Sequence, residues 1–318
     1  MKRSFFLLVT VLSLMNCCLS GCVLAPVEHG DKLSVVTTSF PPYDFIRGVT
    51  GDLADITMLL QAGAEAHSYE PVPLDIAKIQ NCNVFVYIGG EGEVWVDRIL
   101  DSIDTSDITI IRLFDFIEPL EEEEVEGASP DGHHHDEAEE EDEEFDEHIW
   151  TSPRNARLCV EGIEEALCKD FPENADTYRR NGSGYAEKLE QLDREFAVMT
   201  ENSAGNTIVV GDRFPFRYLA HDYGLKYYAA FSGCSSESEP SVYTMAYLID
   251  KLKGDDTDVV FYLEFSTKRL AQKLSDATGA KMLPLNSCHN VTKKDFKNGI
   301  TYLDLMYENL ENLREALN

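Results

Sequence analysis

Eight short apolar runs, rich in β-branched residues, alternate with helical stretches along this chain, and that alternation limits the fold more than any other feature. Strands separated by helices form parallel sheets, because each crossover helix returns the chain to the same edge and covers a face of the sheet. We therefore predict an α/β protein of two lobes, each a parallel four-stranded sheet covered by helices. The predicted strands are Leu33–Thr38, Ala54–Leu60, Asn83–Ile88 and Asp107–Leu113 in the first half, and Asn206–Gly211, Leu225–Ala229, Asp258–Leu263 and Ala280–Leu285 in the second.

The strongest helix signal lies between these two sets of strands. From Pro172 onward, apolar or small residues recur at steps of three and four over about 28 positions, which makes one continuous face on a helix of ~42 Å. A helix of that length joins two lobes as a rigid strut. Shorter helices are predicted over Pro153–Lys169, with Ser152 as its N-cap, and over Ile300–Leu317. The chain then divides into an N-terminal lobe over residues 23–170, the connecting helix over 171–203 and a C-terminal lobe over 204–318.

The first 22 residues have the layout of an export signal. Two basic residues precede the apolar run Phe5–Met15, which is too short to span a bilayer. Leu19–Cys22 resembles a bacterial lipobox, in which the cysteine becomes the lipidated first residue. We therefore predict an exported chain that is anchored to the cell membrane by lipid on Cys22 and faces the periplasm or the cell exterior. A cleaved signal with an incidental cysteine is the alternative.

The acidity of the chain is concentrated in one stretch. There are 58 Asp and Glu against 27 Lys and Arg, and the formal net charge of −31 makes nucleic acid an unsuitable partner. Residues 118–147 contain 17 of these acids and no Lys or Arg, and they also carry His133, His134 and His135. We interpret this stretch as an insertion in the N-terminal lobe, so the folded body is only moderately acidic.

Four polar residues follow predicted strands or end them. His67 follows the second strand, His148 follows the fourth after the insertion, Asp212 ends the first strand of the second lobe, and His289 follows the last strand. Ligands of open parallel sheets bind beyond the carboxyl ends of the strands. Imidazole with carboxylate suits Zn²⁺ or a neighbouring divalent metal. Each residue alone also fits a surface or capping role, but their joint placement predicts a metal site in the cleft between the lobes.

Four stretches resemble, in the same order, motifs of the ZnuA/TroA-like metal-binding lipoproteins of ABC importers. They are Gly63–Pro71, Gly89–Trp95, Asp146–Ala156 and Pro172–Tyr178. The first is similar to that family's Pro-Gly-x-x-Pro-His-x-Tyr-Glu-Pro pattern, and the third to its Asp-Pro-His-x-Trp-x-x-Pro-x-Asn-Ala pattern. The resemblance implies two α/β lobes with a rigid connecting helix, and capture of Zn²⁺, Mn²⁺ or Fe²⁺ for an ABC-type membrane permease. We expect a monomeric binding protein and not an enzyme.

The sequence departs from the family pattern around the ligands. Glu147 stands where the family has a proline before its second histidine. Arg213 occupies the position of a His or Glu ligand, and a guanidinium cannot ligate a cation. Asp212, one residue away, is the predicted replacement ligand. Arg213 and Glu264 are predicted to lie beside the ligands. A water molecule or Glu264 in place of Asp212 is an alternative that the sequence leaves open. The position of the family's fourth metal ligand aligns only approximately with His289.

Three imidazoles and one carboxylate favour Zn²⁺ as the transported ion, whereas two of each favour Mn²⁺. A Mn²⁺ or Fe²⁺ importer component is the alternative. A zinc hydrolase would need a general base, for which Glu264 is the candidate, but the chain has no His-Glu-x-x-His and no Gly-x-Ser-x-Gly. A surface adhesin is a further alternative function, but no sequence feature supports it.

The insertion is either a solvated charge run or, as in zinc-uptake relatives, a loop whose residues His133–His135 gather zinc weakly.

The cysteines that remain after removal of the signal include Cys234 and Cys288, which follow neighbouring strands at the cleft edge. Export permits oxidation. We predict a disulfide between these two residues, which would hold the loop that presents His289. Two buried free thiols are the alternative.

Overall fold

The computed structural model describes residues 32–123, 125–127, 144–233, 239–254 and 257–318. Within these ranges, no helix is both long and apolar enough to cross a membrane. The predicted export signal with Cys22, the histidines His133–His135 and Cys234 lie outside the described residues. The chain from Asp31 onward forms one compact unit.

All eight predicted strands are present, each within three residues of its predicted bounds. They are β1 (Leu33–Thr37), β2 (Ala54–Met58), β3 (Val84–Tyr87), β4 (Thr109–Arg112), β5 (Thr207–Phe214), β6 (Lys226–Ser232), β7 (Val259–Tyr262) and β8 (Lys281–Pro284). The strands pair in parallel, in the orders β2-β1-β3-β4 and β6-β5-β7-β8. The predicted fold class is confirmed.

Helices connect the strands and cover the sheets. Those of the described residues are α1 (Phe40–Thr50), α2 (Pro73–Gln80), α3 (Val94–Leu100), α4 (Pro153–Asp170), α5 (Ala175–Asn202), α6 (Arg217–Tyr223), α7 (Val242–Gly254), α8 (Arg269–Thr278), α9 (Lys293–Asn298) and α10 (Tyr302–Ala316). Ser152 caps α4 as predicted, because its hydroxyl accepts hydrogen bonds from the backbone N–H groups of Arg154 and Asn155.

The long predicted helix is α5, which follows a 3-10 turn at Pro172–Asn174 and continues for 28 residues. Its buried face packs against α1, α4 and α10. That face consists of Ala175, Tyr178, Gly182, Tyr185, Ala186, Leu189, Leu192, Phe196 and Met199. The tyrosines and the large apolar residues of this face belong to one apolar cluster, together with core residues of both sheets, such as Val35 and Val210. The two lobes therefore share a core.

β5 is three residues longer than predicted at its C-terminal end. The expectation that the strand ends at Gly211 is wrong, because the pairing with β6 shifts register between Val210 and Arg213 and then continues to Phe214. A bulge of this kind adds a residue to one strand and changes the direction of its side chains. Asp212 therefore lies within the strand, at the irregularity, instead of beyond its end.

A buried carboxylate ties three helices together. Asp44 on α1 accepts hydrogen bonds from the Tyr185 hydroxyl of α5 at 2.6 Å and from the backbone N–H of Tyr302, at the start of α10, at 2.9 Å. Arg47 pairs with the same carboxylate. The hydroxyl of Tyr302 donates in turn to the carbonyl of Trp150 at 2.6 Å. This network connects the helices of the shared core to the segment that follows His148.

Gly211→Ala is expected to destabilise the protein. A Cβ at Gly211 would lie 2.8 to 3.0 Å from the backbone and Cβ of Ala271 on α8, so the helix would have to shift. Overpacking of this kind costs about 1–3 kcal/mol. Gly205→Ala is the matched control, since a Cβ there has no heavy atom within 4 Å. Urea unfolding of both variants checks the difference, and equal free energies of unfolding would contradict this account of the sheet–helix contact.

Candidate metal centre

Three of the four predicted ligands converge at the carboxyl ends of the two sheets. His67 lies on the loop after β2, His148 follows β4 and the insertion, and His289 follows β8. One ligand nitrogen from each histidine lies within 4.8 Å of the others. Both lobes therefore contribute imidazoles to a single centre.

His148 is held in place by its neighbour in sequence. The carboxylate of Asp146 lies 3.1 Å from Nδ1 of His148 and accepts a hydrogen bond from its backbone N–H at 2.8 Å. Burial opposes a charge on the fully buried ring, but Asp146 outweighs it and raises the pKa of His148. Nε2 of this ring is buried and has no hydrogen-bond partner among the described residues. A histidine whose Nδ1 faces a carboxylate presents Nε2 to a metal.

The other two imidazoles are neutral at physiological pH. Burial, followed by the charges of His148 and Arg213, lowers the pKa of His67 to about 3. Burial, followed by the charges of His67 and His148, holds the pKa of His289 well below its ordinary value. Neutral imidazole is the form that binds metal, so these two rings have no proton to displace.

Trp150 links the loops of His148 and His289 across the lobes. Its indole N–H donates to the carbonyl of Ser287 at 2.7 Å, and its ring centroid lies 4.7 Å from that of His289. The backbone N–H of His289 donates to the Ser287 hydroxyl at 3.2 Å. Ser287 also donates from its backbone N–H to Glu264 at 2.9 Å. The His289 loop is therefore fixed by contacts from both lobes.

Asp212, Arg213 and Glu264 line the same pocket as the three histidines. Within the described part of the chain, no carboxylate joins the histidines in the group whose ligand atoms lie within 4.8 Å. Asp212 accepts a hydrogen bond from the backbone N–H of Arg213 at 3.0 Å. The Arg213 guanidinium lies 3.3 Å from Glu65 across the cleft. Burial raises the pKa of Glu264, although Ser287 donates to it. The carboxylate ligand stays a prediction.

The two ends of the acidic insertion pack against the second lobe. Glu121 and Phe145 form an antiparallel bridge. The Tyr218 hydroxyl accepts from the backbone N–H of Leu120 at 3.1 Å and donates to the carbonyl of Asp146 at 2.8 Å. Asp146 and Glu147, which belong to the acidic stretch of the sequence, are buried. Sequence reasoning missed both of these carboxylates, because a run of acids indicates exposure, and the dipeptide Asp-Glu before a candidate ligand was the only signal.

The sulfur of Cys288 is buried and lies 3.7 Å from the carbonyl oxygen of Asn286. None of the described cysteines, Cys82, Cys159, Cys168 and Cys288, is bridged to another of them. Since Cys234 lies outside the described residues, its bridge to Cys288 stays a prediction.

Comparison with known proteins gives a consistent result. Residues 35–316 match the ZnuA family, described as the periplasmic component A of the zinc-uptake complex. The chain is 35% identical over 286 residues to the zinc-binding lipoprotein AdcA of Streptococcus pneumoniae, a match that covers 90% of this chain and 56% of AdcA. It is 33% identical over 290 residues to the high-affinity zinc uptake system protein ZnuA of Bacillus subtilis, covering 91% of this chain and 89% of that protein. The crystal structure of the Zn(II)-bound ZnuA-like domain of S. pneumoniae AdcA superposes with a TM-score of 0.74 and 34% identity, over 90% of this chain and 99% of that domain.

At about pH 6, Zn²⁺ binding is expected to release about one proton per ion. The raised pKa of His148 keeps that ring protonated there, whereas the lowered pKa values of His67 and His289 leave both neutral. The affinity for zinc should therefore fall about tenfold per pH unit below the pKa of His148. Calorimetry in buffers of different ionisation enthalpy counts the protons. Release of three protons would contradict the assignment of the neutral rings.

Proposed function

The chain belongs to the ZnuA family, and from that premise we propose that it captures Zn²⁺ between its lobes and delivers the ion to an ABC-type membrane permease. The observation that carries the proposal is the meeting of three histidines from both lobes. Zinc is the cargo here and not a resident cofactor. The chain spans 56% of the length of AdcA and 89% of the length of the B. subtilis protein, both of which are named for zinc.

The chemistry of the centre supports zinc over manganese or iron. Zn²⁺ takes four ligands and accepts imidazole readily, whereas a centre richer in carboxylate oxygens suits Mn²⁺. We propose that His67, His148 and His289 supply three ligands and that Asp212, on the pocket wall, supplies the fourth. Glu264 is the alternative fourth ligand, because it is buried and lines the same pocket.

A binding protein fits the site better than a hydrolase does. Catalytic zinc needs an open position and a base that can activate water there. Glu264, the candidate base, accepts hydrogen bonds from the backbone and hydroxyl of Ser287, so its oxygens are engaged in fixing the His289 loop. We infer that the protein captures and releases its ion without turning over a substrate.

We also propose where the mature chain lies and how it gathers zinc. The export signal and Cys22 would hold the mature chain at the membrane by lipid, on the periplasmic or external face, as a monomer beside its permease. The insertion would hold additional zinc weakly through His133–His135. Both of its described ends pack against residues of the second lobe.

Single substitution of each histidine tests the centre. His67→Ala, His148→Ala and His289→Ala should each weaken zinc binding by more than the ~10–100-fold that loss of an outer partner costs. His221→Ala, an exposed histidine on α6, is the matched control and should bind as the wild type does. Competition with a chelator of known affinity gives the constants. Near-native zinc affinity in all three ligand variants would contradict the proposed function.

Two carboxylate variants identify the fourth ligand. Asp212→Ala should weaken zinc binding strongly, because it leaves one of four positions to water. The same competition assay on Glu264→Gln provides the comparison. Unchanged affinity in Asp212→Ala, with loss of affinity in Glu264→Gln, would assign the position to Glu264.

Replacing residues 128–143 by a short Gly/Ser linker tests the role of the insertion. The tight zinc equivalent should remain, since its proposed ligands lie outside that segment, and the weaker equivalents should disappear. Calorimetry resolves the two phases. A full-length chain in which only His133–His135 are changed to Asn separates the contribution of the imidazoles from that of the acids. Loss of the tight phase in the deletion would mean that the insertion supplies a primary ligand.

A further inference from the structure

Glu147 lies beside the metal centre, in contact with His67, although it is not one of the predicted ligands. Its side chain is only 5% exposed. One carboxylate oxygen, Oε2, accepts a hydrogen bond from the backbone N–H of Gly92 at 2.6 Å, and the other, Oε1, lies 3.6 Å from Nδ1 of His67. Glu147 therefore connects the loop after β3 to the loop that presents His67.

The preceding residue approaches a different histidine more closely. Asp146 lies 3.1 Å from Nδ1 of His148, within hydrogen-bond distance, whereas Glu147 lies 3.6 Å from Nδ1 of His67. Carboxylates in this position fix the proton on Nδ1 and leave Nε2 to the metal. Two consecutive acids are thus placed to orient two of the three imidazoles.

Two glycines make room for the Glu147 side chain. A Cβ on Gly90 would lie 2.2 Å from Cβ of Glu147, and a Cβ on Gly92 would lie 2.8 Å from both of its carboxylate oxygens. A side chain at either glycine would push the carboxylate away from His67. The family pattern has a proline where this chain has Glu147, and a proline side chain has no hydrogen-bond acceptor.

His67 is the ligand that most needs such an anchor. Its side chain keeps 22% exposure, whereas that of His148 is fully buried, and the His289 loop is tied to Trp150 and Glu264. An imidazole at the edge of a pocket can rotate about its side-chain bonds, and that freedom must be lost when a metal binds. A carboxylate beside Nδ1 removes part of that freedom in advance.

We propose that Glu147 is a positioning residue, whose carboxylate accepts the Nδ1 hydrogen of His67 and so directs Nε2 of that ring toward Zn²⁺. This inference rests on the proposed function, because it takes the three histidines as zinc ligands. The separation of 3.6 Å is longer than a hydrogen bond. A metal on Nε2 would make the Nδ1–H a stronger donor to this carboxylate.

Glu147→Ala should weaken zinc binding by about 10–100-fold, the usual cost of removing an outer partner of a ligand. Glu91→Gln is the matched control, because it removes the same charge from an exposed carboxylate on the turn after β3. In the metal-free protein, ¹⁵N NMR should show His67 protonated on Nδ1 in the wild type and as a mixture of tautomers in Glu147→Ala. An affinity within about twofold of the wild type, or an unchanged tautomer population, would overturn the proposal.

Gly92→Ala gives a second test that does not touch the carboxylate itself. In the wild-type background it should weaken zinc binding, because its Cβ displaces Glu147. In the Glu147→Ala background it should cause no further loss, since the group that it displaces is absent. Gly184→Ala on α5, where a Cβ meets no heavy atom within 4 Å, is the control. Equal losses in the two backgrounds would contradict the positioning role.

The wild type separates this inference from the proposed function. A wild-type chain that binds Zn²⁺ no more tightly than His148→Ala does would overturn both. Tight binding by the wild type and equally tight binding by Glu147→Ala would overturn the positioning role alone.

Discussion

The apolar core that the two sheets share is the constraint on which the metal centre depends. Val35 of the first sheet and Val210 of the second belong to one cluster, which also includes Trp150 and Tyr302. Trp150 is at once part of that core and the wall of the site, since its ring lies against His148 and His289. The lobes cannot move apart without exposing this side chain and breaking its hydrogen bond to Ser287. Burial of the core thus fixes the spacing of loops that come from opposite lobes.

The same burial determines the charge of the site. Because it disfavours charged rings, it leaves His67 and His289 neutral and ready to bind a cation. The carboxyl groups of Asp146 and Glu147 lie next to His148 and His67 without being part of the group of ligand atoms. Arg213 adds a positive charge to the pocket lining and pairs with Glu65. Carboxylates beside the three histidines would therefore add to the attraction for a divalent ion.

The fold was predictable because strands buried on both faces appear in sequence as unbroken apolar runs, and a long helix appears as one continuous face. The extension of β5 was not predictable, because Asp212 and Arg213 are polar and interrupt the apolar run. They belong to the strand because its pairing with β6 shifts register and then continues. His67, His148 and His289 were predictable as residues that follow strands, because parallel sheets bring the ends of their strands to one edge. The roles of Trp150 and Glu147 depend on contacts between distant segments, which no local pattern of residues encodes.

No two of the three histidines are close in sequence, and this has a consequence for the chain before it folds. The three histidines are not assembled in the unfolded chain. A metal that binds to the assembled centre therefore stabilises only the folded state. Each tenfold excess of free metal over the dissociation constant adds about 1.4 kcal/mol to the free energy of unfolding. Proteolysis acts on the transiently opened form, and the population of that form falls as the free energy of unfolding rises. The concentration of free zinc around the chain would therefore set how long each copy lasts.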